Sequence, residues 1–247
     1  MSINIYFNYG EEVQLKILFA FAHPDDESFI TGGLIHRLSK NQNVQTILYS
    51  ATKGDAGKCG NPAVCKKEEL AAVREKELEQ AAQFLQVDHL IIDDFKDKFV
   101  GENRIQVREK LLSIIREYKP EIIITFPKHG ISGHTDHIAM HEITTDIVKK
   151  EPLPFIQRLY YATFVRQERQ ERSFLESESE VDWIFHLDAD DVEACRKALL
   201  AHRTQHLSVE RVLHLTKDSK NFQKFANKEY FMFAITKDET VRLENYI

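Results

Sequence analysis

Five short apolar runs alternate with helix-like stretches over the first two-thirds of the chain, and this alternation narrows the fold more than any other feature. The runs are Lys16–His23, Val44–Thr52, His89–Asp93, Glu121–Phe126 and Arg158–Val165. Between them lie Glu27–Ser39, Lys66–Leu85, Ile105–Tyr118 and a stretch from about Asp136 to Lys149. Lys66–Leu85 carries the clearest helical period, with Leu70, Val73, Leu78, Ala81 and Leu85 on one stripe. Apolar runs of strand length suit strands covered on both faces. The expected fold is α/β: a Rossmann-like, mostly parallel sheet with helices on both faces. If the strands take the 3-2-1-4-5 order assumed for this class, strands one and four flank the crevice where the order reverses. Chemistry is then expected just after those two strands.

The 247 residues are expected to form a single domain spanning 1–247, with a core of about 16–165 and C-terminal additions of about 181–238. Those additions are a strand-like Trp183–Leu187, a helix from about Asp190 to Gln205, and a final strand-like Tyr230–Thr236. The charged stretch Gln167–Glu180 between them reads as a solvated loop or short helix. No Pro/Gly/Ser-rich linker marks a second domain.

Charge and hydropathy exclude several partners. A net charge of −6, from 33 basic and 39 acidic side chains, offers no general attraction for nucleic acid. No apolar run approaches the ~18–20 residues of a membrane span. The opening MSINIYFNYGEE lacks the basic start and apolar stretch of a secretory signal, so a cytoplasmic location is expected. Three cysteines, Cys59, Cys65 and Cys195, do not suggest a disulfide framework. Cys59 and Cys65 share one loop and are read as free thiols before any metal-binding role. A homo-oligomer is left open.

The polar residues gather where the topology predicts. Strand one ends in Ala22-His23-Pro24-Asp25-Asp26-Glu27, and strand four leads into Gly130-Ile131-Ser132-Gly133-His134-Thr135-Asp136-His137. Each cluster alone has a bland explanation, since Asp25, Asp26 or Asp136 could simply cap the next helix. Together they place several imidazoles and carboxylates at one crevice. A hydrolytic zinc needs three protein ligands and one open position. Two neutral His and one Asp would leave the ion positively charged, able to acidify water and polarise a carbonyl.

The run AHPDDE, the following TGG and the later GHTDH resemble the LmbE-like (PIG-L) family of metal-dependent N-acetylglucosaminyl deacetylases. The likeness extends from about Lys16 to Lys150, with weaker echoes to Gln205. Thr135 departs from the family pattern, which usually has Pro there. The resemblance implies His23, Asp26 and His137 as metal ligands, and Asp25 as the general base. It implies His134 as a second catalytic group that acts as imidazolium on the oxyanion and the departing amine, with Asp136 holding it in that state. Arg74, in Val73-Arg74-Glu75-Lys76-Glu77-Leu78, and Asp97, in the loop after strand three, are the implied substrate contacts. For Arg74 the alternative is a surface pair with Glu77; for Asp97 it is a solvated loop carboxylate. His202 is given no role beyond a pocket contact. The implied reaction is zinc-dependent hydrolysis of the N-acetyl amide of a small-molecule N-acetylated sugar derivative.

Other readings share part of this pattern. His137 and His141 stand four apart on a helix and could share a metal, but no Glu lies between them as a metalloprotease requires. Two His and one carboxylate also make the facial triad of Fe(II) oxygenases, and a hydrolase holding Fe(II) uses the same donors. An oxygenase leaves Asp25 and His134 idle. A sugar- or nucleotide-binding module has no need of an acid–base pair beside a metal, and no GxGxxG follows strand one. The loop from Lys53 to Lys66 is expected to border the crevice, where Lys53 and Lys58 either meet an anionic group or are merely solvated.

Overall fold

A computed structural model describes residues 14–165, 175–213 and 227–247. Seven strands form one sheet in the order β3-β2-β1-β4-β5-β7-β6. β1 (Leu15–Phe21), β2 (Val44–Thr52), β3 (His89–Phe95), β4 (Ile122–Thr125) and β5 (Arg158–Thr163) are parallel, in the order expected from the sequence. β7 (Lys228–Thr236) runs antiparallel between β5 and β6 (Trp183–His186), so the C-terminal additions extend the same sheet. Much of the charged stretch after β5 lies outside the described residues.

β1 is the middle strand of the five parallel ones. Its LKILFAF sequence is buried along nearly its whole length, because β2 and β4 flank it and helices cover it. Among the described residues there are eight helices: α1 (Asp26–Ile30), α2 (Gly32–Ser39), α3 (Leu70–Phe84), α4 (Arg104–Tyr118), α5 (Gly130–Gly133), α6 (Thr135–Lys150), α7 (Ala189–Ala201) and α8 (His206–Leu213). α2 and α3 pack on α7, while α4 packs on α6, which also covers β1 and β4. Right-handed crossovers put the two groups on opposite faces, since the chain moves outward from β1 in one direction through β2 and β3 and in the other through β4 and β5. Among the described residues no helix is long and apolar enough to cross a membrane. Cys59, Cys65 and Cys195 are free thiols.

Two helices differ from the sequence reading. The helix expected over Glu27–Ser39 is broken at Thr31, whose φ of −140° and ψ of 13° are not helical. The break has a tertiary cause. Glu229, from the distant β7, accepts hydrogen bonds from the N–H groups of Gly33 (2.7 Å) and Leu34 (2.9 Å), giving α2 an N-terminus of its own. The helix expected to run to Gln205 stops at Ala201, and α8 begins after one tight turn.

Candidate metal centre and active site

The loops after β1, β3 and β4 meet at the carboxyl ends of the central strands, around a pocket of about 280 Å³. His23 comes from the first loop and Asp26 from the start of α1 that follows it, Asp97 from the second loop, His134 from the third, and Asp136 and His137 from the first turn of α6. His23 Nδ1 lies 3.1 Å from His137 Nε2, and Asp26 reaches His137 Nε2 at 3.2 Å and His23 Nδ1 at 3.5 Å. Asp26 spans the two rings, with Oδ1 toward His137 and Oδ2 toward His23, so three donor groups of the kinds a zinc site uses converge. The second nitrogen of each imidazole is already committed. His137 donates from Nδ1 to the Gly130 carbonyl (3.0 Å), and His23 donates from Nε2 to Asp136 (3.1 Å). Each ring therefore turns a lone pair toward the shared point, with an outer partner fixing its tautomer. Phe126 stacks on His137 at 4.1 Å between centroids and stops it tilting. The donor set thus fits a zinc or ferrous ion.

Burial and charge shape the acids around this point. Asp26 is held well below the usual carboxylate range; burial opposes this, but the His137 and His23 imidazoles outweigh it. Asp25 behaves oppositely. Burial pushes it up to about 6, against the opposing pull of the Arg74 guanidinium, whose Nη2 lies 3.3 Å from Asp25 Oδ2. Arg74 is buried, donates to the carbonyls of Gly54 (3.0 Å) and Pro24, and so grips the loop that carries both Asp25 and Asp26. The alternative pairing with Glu77 is not formed: Glu77 accepts instead from Thr204 N–H (2.9 Å) and its hydroxyl (2.6 Å). Asp97 is buried rather than solvated and lies at about 2, where burial is outweighed by His23 and Arg74. Its Oδ1 is 3.1 Å from His23 Nε2, but the single N–H there is directed at Asp136, so this buried oxygen has no hydrogen bond.

Asp136 has a different partner from the one the sequence suggested. Its carboxylate faces His23 and accepts from the N–H groups of Lys98 (2.6 Å) and Val100 (3.2 Å); only its backbone N–H meets His134, donating to Nδ1 at 3.2 Å. The loop after β3 captures the carboxylate, and a two-residue separation leaves the backbone to reach the imidazole. The His134 pKa is held below its ordinary range, first by burial and then by the facing His23 and His137 rings. His141 plays no part at the centre. It donates to the Phe126 carbonyl (2.9 Å) and packs on Tyr161.

Three residues lining the pocket have φ in the left-handed region without being glycine: Asp25 at 113°, Lys98 at 77° and Ile131 at 62°. Such conformations cost on the order of 1–3 kcal/mol each and persist only where the surroundings enforce them. In each case an ionisable side chain takes the strained residue's N–H. Glu27 binds that of Asp25 (3.1 Å), Asp136 that of Lys98 (2.6 Å), and His129 Nδ1 that of Ile131 (3.0 Å). Asp25 caps no helix with its side chain. Sequence reasoning assigned no function to Glu27, His129, Lys98 or the pocket-lining Phe29 and Phe164. Glu27 alone left a signal, as a fourth ionisable group straight after a buried strand.

The family model described as PIG-L, GlcNAc-PI de-N-acetylase, matches residues 18–148. A 1D-myo-inositol 2-acetamido-2-deoxy-alpha-D-glucopyranoside deacetylase of Actinosynnema mirum is 31% identical over 63% of this chain and 62% of its own. A probable N-acetylglucosaminyl-phosphatidylinositol de-N-acetylase of Schizosaccharomyces pombe is 35% identical over 56% of this chain. The chain spans 53% of that fission-yeast protein's length, so both matches stop short of two thirds of the relative. In fold, the chain resembles the N,N'-diacetylchitobiose deacetylase of Pyrococcus horikoshii, with a TM-score of 0.64 at 21% identity, over 91% of this chain and 88% of that one.

Proposed function

Because the chain belongs to the GlcNAc-PI de-N-acetylase (PIG-L) family, we propose that it hydrolyses the N-acetyl amide of an N-acetylglucosamine-type sugar derivative to acetate and a free amine. The observation that carries this reading is the convergence of His23 Nδ1, His137 Nε2 and Asp26 beside a second carboxylate, Asp25, poised at about 6. We assign His23, Asp26 and His137 as the ligands of a zinc ion, with Fe(II) served by the same donors. When bound, the ion supplies a Lewis acid for the amide carbonyl and makes water more acidic.

The chain's own groups do the rest. Asp25 takes a proton from the attacking water, and its burial makes it a stronger base than a solvated carboxylate. His134 accepts the Asp136 N–H at Nδ1, so its own proton sits on Nε2, which stabilises the developing oxyanion as a hydrogen-bond donor. As the C–N bond breaks, the proton gathered by Asp25 passes to the departing nitrogen. Asp97 Oδ1, the buried acceptor without a hydrogen bond, is assigned to a sugar hydroxyl. Arg74 acts on substrate indirectly, by holding Asp25. Phe29, Ile30, Ile131 and Phe164 supply apolar walls for the C–H faces of the ring.

The deciding experiment joins metal analysis to amine release from a panel of N-acetylglucosamine derivatives. About one metal per chain and chelator-sensitive amine release are expected. Metal-replete protein that frees no amine from any of them would overturn the proposed reaction while leaving the centre in place.

A further inference from the structure

We propose that Glu27 and His202 are positioning residues, which hold Asp25 in its reactive setting through its backbone. The inference rests on the reading of Asp25 as general base, but it is built from a different set of contacts. Asp25 carries φ of 113° and ψ of −27°, a conformation its own side chain disfavours. Arg74 holds its carboxylate and the preceding carbonyl of Pro24. Neither contact restrains the Asp25 N–H, and that N–H is bound by Glu27 Oε2 at 3.1 Å.

Glu27 cannot make this bond unless its other oxygen is satisfied, because the side chain is almost wholly buried, at 1% exposure. Oε1 accepts from the Ser28 hydroxyl (2.5 Å) and from His202 Nε2 (2.9 Å). His202 caps the C-terminus of α7, is fully buried, and lies 175 positions along the chain. Among the described residues its Nδ1 has no partner, and the ring's hydrogen-bond contacts are with Glu27 and Ser28. A buried imidazole directed at one carboxylate, which is itself directed at one strained N–H, forms a line of restraint from the end of α7 to the base. It also gives a use to two buried ionisable groups that the proposed reaction leaves idle.

The test uses the metal-loaded chain carrying Glu27→Ala, Glu27→Gln or His202→Leu. Gln keeps an acceptor for the Asp25 N–H; Ala does not. Glu27→Ala is expected to lower kcat by about 10²-fold, the scale of a small misplacement of a reacting group. Its KM should change by no more than about threefold, at unchanged metal content. Glu27→Gln should restore kcat to within about tenfold of the parent. A crystal structure of Glu27→Ala should show Asp25 relaxed to negative φ. If that variant does not fold, His202→Leu carries the same readout, with the Glu27 carboxylate turned away from the Asp25 N–H. The proposal is overturned if Asp25 keeps its positive φ in the variant crystal, or if Ala and Gln lower kcat equally. Asp25→Asn assayed in parallel separates the two ideas: full turnover there would remove Asp25 as base, whereas the backbone readout judges the restraint by itself.

Discussion

Asp25 and Asp26 are neighbours with the same side chain and opposite behaviour, and the difference predicts opposite mutants. Asp26 sits between two imidazoles that favour its charge, whereas Asp25 is buried against one guanidinium and raised to about 6. Asp25→Asn should keep its metal and lose most turnover; His137→Ala should lose metal as well, as elemental analysis of the two purified variants will show. Equal metal content would remove His137 from the ligand set. His134→Ala should retain metal and slow turnover ~10²–10⁴-fold, the worth of one oxyanion donor. The pH profile follows from signs. Asp25 must be ionised to act, so kcat/KM rises with pH through its pKa, and Arg74 lowers that pKa. Arg74→Gln should therefore move the acid limb to higher pH, and an unmoved limb would show that the limb belongs to another group. The convergence of the two polar clusters was legible in the sequence because they follow strands expected to meet at the order reversal. Its pairings were not. Whether Asp136 meets His134 or His23 depends on where the loop after β3 docks, and nothing within the GHTDH run encodes that.

Elements were legible where their pattern is local. β1 to β5 and the long amphipathic helices carry their own period; the order of the strands was assumed from the fold class, and the sheet has it. The break at Thr31 was not legible, because its cause is Glu229, nearly two hundred residues away. The adjoining Gly33 gives a test at this scale. A Cβ there would stand 2.3 Å from Leu187 Cδ2 and 3.1 Å from Glu229 Oε1, so Gly33 sets how closely α2 approaches the segment after β6. Helix propensity alone favours alanine by roughly 1 kcal/mol, while overpacking costs about 1–3 kcal/mol. Gly33→Ala should thus destabilise by about 1 kcal/mol in denaturant melts. Adding Leu187→Ala should cost less than the sum of the single changes, since it vacates the space the new methyl needs. Strict additivity would mean that the contact does not set the spacing.

At the scale of the molecule, one sheet carries everything, and two adjacent inner strands, β1 and β4, bring in the whole proposed ligand set. His23 and Asp26 follow β1, His137 follows β4, and 114 positions separate the two histidines. An ion bound there favours the folded chain by mass action, about 4 kcal/mol when its concentration is a thousand times Kd. Chelation should accordingly lower Tm by roughly 10 °C for a chain of this size, and the His137→Ala variant should not respond to chelator. Equal chelator sensitivity in parent and variant would locate the ion elsewhere. The β1–β4 pairing has a second consequence. β1 meets β2 through a short connection, but it meets β4 only across more than a hundred residues, so this seam is the sheet's longest-range junction. An ion shared across it acts as a clasp on the step with the highest contact order. Metal uptake should then report closure of this seam.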